Sequence, residues 1–489
     1  MKKFKLMMRM LSMLLVLVMA IGVLAACGGD GEDTDDGNNT VSTGGEDGPN
    51  LPEVNYDGSD FTVLVRQDTY AADIHVDKLD TSTSEIDKKI YNRTKLIEDV
   101  YGVNFTLVTD SDANIVSAVS TAVLADPDEY DLIANHGRSI FSGVTSGYYY
   151  DWNNLTYVDT DKPWWNQAAN KNWRTPGGKL FAMNGDISYQ SVGVLGGMYF
   201  NKDIIANAGA KSPYQFVYDD EWTLENFEKL VKEVDASLAG DGSGSIATDT
   251  FGYATQKWRG PSSAYMCSGQ PLLLLGTDGK YTVNAGNERI VNAFEEYLQL
   301  LFDSGACYYG PNDADLNPVR EAFKAGRVAF NDDNLSMGVI FKGTELNYGI
   351  VPWPKYDELT ESYYSTIGTG TNTFAVLSNT TASNAERISV ILEAMAYYGS
   401  EQVISYYYDE LLSYQTMKDP DSLEMLKIIH DGATVEMIQY TNYGGIVDLP
   451  RGVIGEPSRY GNSISTAVSV IKNTVEAELQ IWYALDTAK

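Results

Sequence analysis

From residue 57 onward, apolar positions switch between a period of two and a period near 3.6. Phe61–Arg66 (FTVLVR) is a short apolar run and predicts a buried strand. Within Glu85–Tyr101, Ile86, Ile90, Ile97 and Tyr101 recur at near-helical spacing, and Gly102 marks the stop. Val103–Val108 alternates as a second strand. Ile115–Leu124 predicts a second helix and Tyr130–Ala134 a third strand. Strand, helix, strand, helix, strand implies a parallel sheet with helices on its faces. Ligands of such sheets sit beyond the carboxyl ends of the strands, which singles out Arg66-Gln67 and Asn135-His136-Gly137-Arg138.

The next segment, Gly177–Asp203, holds two apolar runs, Lys179–Met183 and Val192–Phe200, joined by a polar stretch containing Asp186 and Tyr189. Two strands separated by a polar crossing would carry the chain from one lobe to another, and Asn201–Asp203 predicts a helix start. Further on, Glu221–Val234 reads as a helix capped by Thr223, and Arg289–Leu301 as a longer one. Val319–Phe323 leads into a strand at Ala325–Asn331, and Tyr348–Pro354 is another. Tyr364–Phe374 is small, polar and Gly-rich, as a second crossing would be. A strand at Phe374–Leu377 and a helix at Ala385–Tyr398 follow, and the C-terminal third is mostly helical.

These stretches, in this order, resemble the bacterial extracellular solute-binding proteins of family 1, the sugar-type receptors of ABC importers. The carriers are GGKLFAMNGDISYQSVGVLGGMYFNKD at the first crossing, KKIYNRTKLIEDVYGVNFTLV, ADPDEYDLI, GYYYDWNNL, EWTLENF, AGRVAFN and YGIVPWP. The resemblance spans roughly 57–400 and is weak in any single motif. It implies an α/β fold of the two-lobe periplasmic-binding-protein type (type II), with hinge crossings between lobes. The expected division is 57–187 with 372–435 for lobe one, and 188–371 with 436–489 for lobe two. It also implies capture of a carbohydrate, an oligosaccharide above all, and delivery to ABC transporter permease subunits.

Charge and the N-terminus add an address. Lys2, Lys3, Lys5 and Arg9 precede an apolar run, Met10–Ala26, that reads as a signal peptide over residues 1–26. Leu24-Ala25-Ala26-Cys27-Gly28 resembles a bacterial lipobox, which implies diacylation of Cys27 and a lipid anchor on the extracytoplasmic face of the cell membrane. Residues 27–56 are acidic and Gly-rich with no Lys or Arg, the composition of a disordered tether. A net charge of −32 argues against nucleic acid and against docking on anionic lipid. Cys267 and Cys307 both fall in lobe two. Their spacing leaves open a disulfide or two free thiols.

Candidate chemistry is sparse. The three histidines, His75, His136 and His430, form no H-E-x-x-H, and there is no C-x-x-C, G-x-S-x-G or Walker loop, so neither cofactor nor metal is expected. Asp313, Asp315 and Asn317 have oxygen-ligand spacing, but Lys324 occupies the twelfth position, which excludes an EF-hand. The expected protein is a monomeric binding protein, not an enzyme. A surface glycan hydrolase is the rival, since Asp219-Asp220-Glu221 and Asp332-Asp333 offer paired carboxylates. An adhesive lipoprotein is a third reading, against which the absence of internal repeats speaks. Sugars present C–H faces to aromatic rings and hydroxyls to carboxylates, amides and guanidinium groups. The candidate ligand-binding residues are therefore Arg66, His136, Arg138, Trp164, Asp186, Tyr189, Trp258, Arg259, Asp332, Asn334 and Trp353.

Overall fold

The computed structural model describes residues 48–67, 69–125, 128–257, 259–310, 317–341, 344–408, 419–455 and 464–487. Cys27, the tether up to residue 47, Trp258, Asp313 and Asp315 lie outside the described residues.

Lobe one is built as the apolar pattern predicts. β1 (Ser59–Arg66), α1 (Glu85–Tyr101), β2 (Val103–Asp110), α2 (Asp112–Ala125) and β3 (Leu132–His136) follow in order. Ser84 caps α1 by accepting from the Asp87 amide, and Gly102 ends it at φ 62°. β1 runs parallel to both neighbours, with Phe61 beside Phe105 and Val63 beside Leu132. Val63, Val65, Ile90, Ile97 and Ile133 are fully buried between sheet and helices.

The sheet is completed from far along the chain. After β3 comes α3 (Gly137–Thr145), and much later β12 (Asn372–Ala375) pairs antiparallel with β3, placing Phe374 beside Ala134. The strand order is β12-β3-β1-β2.

Lobe two carries β4 (Gly196–Asn201), α4 (Leu224–Asp235), β5 (Phe251–Gln256), α5 (Gly260–Met266), the hairpin β6 (Leu273–Leu275) and β7 (Tyr281–Val283), and α6 (Glu288–Asp303). It continues with β8 (Cys307–Gly310), α7 (Asn317–Lys324), β9 (Val328–Asn334) and β10 (Tyr348–Val351). Its five-stranded sheet has the order β10-β4-β9-β5-β8. β5 is parallel to β8 and β9, whereas β4 runs antiparallel to β9 and β10. Thr223 caps α4 as predicted. Cys267 and Cys307 are both free thiols, each pushed up to about 12 by burial.

Three segments cross between the lobes. The predicted strand at 179–183 is reduced to one bridge, Met183 with Phe374, and a short helical turn at Gln190–Gly193 replaces the start of the second run. The chain then bridges Leu195 to Ile367, beside β11 (Ser365–Thr366), which pairs with β13 (Ala433–Thr434).

The C-terminal third departs from the predicted division at residue 435. α8 (Ala382–Gly399) belongs to lobe one, but α9 (Pro420–Asp431) packs on lobe two, where the Tyr214 and Ser422 hydroxyls meet at 2.7 Å. α10 (Met437–Thr441) returns to lobe one, its Tyr440 ring 5.1 Å from Phe141. Beyond it lies α11 (Leu449–Gly455). α12 (Ile464–Ala484) then spans both lobes: Trp482 stacks on Phe141, while the Tyr483 hydroxyl accepts from the Tyr281 amide of the hairpin at 2.8 Å. Among the described residues no helix is long and apolar enough to cross a membrane.

Candidate functional site

The carboxyl end of the lobe one sheet is cationic. Arg66 closes β1, is 5% exposed, and donates through Nη2 to the Gly370 carbonyl of the second crossing at 2.8 Å. Its guanidinium lies 3.4 Å above the Tyr70 ring and 3.5 Å from Asp112. β3 ends at His136, whose Nδ1 accepts from the Arg138 amide at 3.1 Å and caps α3. Burial, helped by Arg66 and Arg138, pushes His136 down to about 4, so the imidazole is neutral at pH 7. Arg138 reaches Asp448 at 3.1 and 3.4 Å, and Asp448 also takes Asn442 and Arg451. Burial opposes ionisation of Asp448, yet the Arg138 hydrogen bond and both guanidinium charges hold its carboxyl below the usual range. Gly137 sits where a Cβ would lie 2.2 Å from the Tyr440 ring, so a side chain there would push α10 off α3. The structure thus brings together Arg66, His136 and Arg138.

The lobe two end is built on β9. Successive residues of a strand face opposite sides, and Asp332 and Asp333 do so. Asp332 is 2% exposed, accepts from the Tyr253 hydroxyl at 2.9 Å, and is pushed up to about 7 by burial. Asp333 takes the Arg320 fork at 2.6 and 3.0 Å. Two carboxylates turned to opposite faces cannot flank one glycosidic bond. Asp219, Asp220 and Glu221 are each engaged by Lys211 or Lys355. Asn334, at the strand end, accepts from Arg259, which follows β5. The structure brings Arg259 and Asn334 together, whereas Asp332 turns into the lobe two core.

Both described tryptophans among the predicted ligand residues are corrected. Trp353 is 3% exposed and packs against Tyr297 and Phe227, with ring centroids 5.9 and 6.5 Å away. Trp164 is equally buried. Its indole donates to Glu393 of α8 at 3.0 Å, and Trp165 donates to the other oxygen at 2.8 Å. Glu393 is pushed up to about 7 by burial. In both cases an apolar core with a polar handle takes the ring.

The first crossing is clamped from lobe one. Buried Arg93 donates to the Ile187 carbonyl at 2.7 Å, and Asp73 takes the Ser188 hydroxyl and, at 3.1 Å, the Tyr189 amide. Tyr189 packs on Tyr407 at 4.8 Å. Asp186 stands apart from the strand-end residues, in a hinge cavity of about 290 Å³ bounded by parts of all three crossings. Sequence reasoning missed Arg320, Glu393, Arg93 and Asn331, and offered Asp333 only as half of a carboxylate pair. Asn331 is fully buried on β9 with neither amide atom partnered. A polar residue mid-strand in AGRVAFN was the available signal for it.

No protein-family model matches the sequence, and no curated protein matches it. Solved structures match the fold. The UgpB protein of Mycobacterium tuberculosis, in complex with glycerophosphocholine, is 14% identical with a TM-score of 0.57, over 86% of this chain and 98% of that one. An ABC substrate-binding protein from Listeria monocytogenes, in complex with cycloalternan, is 12% identical with a TM-score of 0.54, over 87% and 100%. The GacH receptor of Streptomyces glaucescens, solved unliganded and with acarbose, is 16% identical with a TM-score of 0.52, over 88% and 98%. The chain therefore has the two-lobe α/β fold of the ABC solute-binding proteins.

Proposed function

We propose that this protein is a non-enzymatic extracytoplasmic receptor that captures a carbohydrate, most simply an oligosaccharide, between its lobes and hands it to ABC permease subunits. The observation that carries the reading is a fold likeness over almost the whole length of proteins solved with acarbose and cycloalternan. Each lobe contributes one polar strand end: Arg66, His136 and Arg138 from lobe one, Arg259 and Asn334 from lobe two. Guanidinium and amide groups offer paired donors to sugar hydroxyls, and neutral His136, whose Nδ1 already accepts from the Arg138 amide, can donate through Nε2. Three crossings permit hinge closure. The alternative of a glycan hydrolase loses its best carboxylate pair to the opposed facing of Asp332 and Asp333. The lipid anchor at Cys27 is part of the proposal and rests on the sequence alone.

A thermal-shift screen against mono-, di- and oligosaccharides tests the cargo, with a glycerophosphodiester, peptides and polyols alongside. Saturable stabilisation by one sugar class, about 2.7 kcal/mol at a hundred times Kd, that is lost in Arg138→Ala and Asn334→Ala supports the reading. Stabilisation only by the phosphodiester or by peptides would overturn the carbohydrate assignment. Labelling with palmitate in a bacterial host that is abolished by Cys27→Ala supports the anchor, and equal labelling would remove it.

A further inference from the structure

The hinge cavity around Asp186 is lined by none of the strand-end residues, and among the described residues no Lys or Arg lines it. The polar residues that line it are Asp186, Asp431, Asn166, Gln167, Ser191 and His430. Its floor is apolar, with Trp165, Val192, Leu195 and Ile367. At about 290 Å³ it has room for several waters, each of which takes about 30 Å³.

We propose that this cavity is a second binding site, for a small organic cation, built into the hinge and separate from the strand ends.

Three features support it. First, the charge is of one sign. Burial pushes the Asp186 carboxyl up to about 7 against a hydrogen bond from Ser400, so the pocket holds a carboxyl that lacks a compensating cation. A bound ammonium would supply that charge in a low-dielectric place where it counts most. Among the described residues His430 is the one basic group that lines the cavity. It lies 3.6 Å from the Asp431 carboxylate and is 56% exposed. Second, the floor suits the methylenes of an alkylamine. Third, the walls belong to different bodies. Asn166 and Gln167 ride on lobe one, whereas His430 and Asp431 end α9, which packs on lobe two. Gly399 fixes the near wall: a Cβ there would meet the Asp186 carbonyl oxygen at 2.0 Å, so α8 abuts the crossing directly. An occupant touching both bodies binds one hinge geometry better than another and shifts the population of closed lobes.

The test is calorimetric titration of the full chain with putrescine, with ribitol as the neutral control. Putrescine should bind saturably, at least tenfold more weakly to Asp186→Asn and severalfold more weakly to Asp431→Asn, and unchanged to Asn334→Ala. Asp431 is two-thirds exposed, so its variant decides the matter if Asp186→Asn does not fold. Absence of saturation, wild-type affinity in both Asp variants, or tighter binding of ribitol than of putrescine would each overturn the proposal. The sugar screen reads a different ligand, and the variants expected to lose binding differ, so the two readings fail independently.

Discussion

The two strand ends satisfy their polar groups in different ways. In lobe two the partners are local to the lobe: Arg320 with Asp333, thirteen residues apart, and Tyr253 with Asp332, 79 apart, both on the β9 frame. In lobe one, besides the local contacts of Arg66 with Tyr70 and Asp112, the partners come from far along the chain: Arg66 holds Gly370, 304 residues away, and Arg138 holds Asp448, 310 away. The lobe two end is thus a property of its own fold. The lobe one end is set by the second crossing and the C-terminal segment, so any movement of those segments repositions its cations.

The sharpest attempt to break this contrast is Arg320→Ala. It leaves the Asp333 carboxylate, whose side chain is 0% exposed, without its cation. Loss of one partner of a buried pair costs about 3–5 kcal/mol, read by urea unfolding. A loss below about 1 kcal/mol would mean that the lobe two end does not depend on its internal pair.

Next in size is a pH effect on Asp332. Below about pH 4 both folded and unfolded chains hold its proton. Between about 4 and about 7 only the folded chain does, so stability falls as pH rises through that window and is lowest above it. At 1.36 kcal/mol per pKa unit the fall is up to about 4 kcal/mol. Asp73, Asp186, Glu393 and Glu436 are also pushed up to about 7 and act in the same direction. The thermal midpoint should be higher at pH 5 than at pH 8, and Asp332→Asn should flatten the slope. A midpoint that rises toward pH 8 would refute the assignment of these carboxyls.

Arg66→Met should cost about 2 kcal/mol, the worth of a charged hydrogen bond. It should loosen the second crossing, seen as faster hydrogen exchange at 367–372, without touching the lobe two end. The smallest effect belongs to Asp448→Asn. Its side chain is 41% exposed, and solvent screening limits the loss to about 1 kcal/mol or less by chemical unfolding. A larger loss there would mark the C-terminal segment as the true keystone of lobe one.

Much of lobe one was legible because its elements are short-range. The period of Ile86, Ile90 and Ile97, the stop at Gly102 and the run Phe61–Arg66 each require only neighbours to interpret. The strand-end rule then located Arg66, His136 and Arg138 without any knowledge of their partners. Direction was not legible. Trp164 and Trp353 sit where a cleft platform would be in sequence, but the sequence cannot say that Glu393 waits under one and Tyr297 under the other. Arg320 and Arg93 were invisible for the same reason: each matters through a group brought near by the fold. The division at residue 435 failed because α9 and α10 lie on opposite lobes, and a helical period does not say what a helix packs against.

The placement of β12 also bears on how a nascent chain folds. β3 is made early, but its outer partner emerges only after every strand of the second sheet. Until then the first three strands form a sheet with an open hydrogen-bonding edge at β3, a ready template for mispairing with another copy. Lobe two holds all five strands of its main sheet between residues 196 and 351 and can close first. The order of completion is therefore the reverse of the order of synthesis. The interval between them is when a chaperone would have most to do.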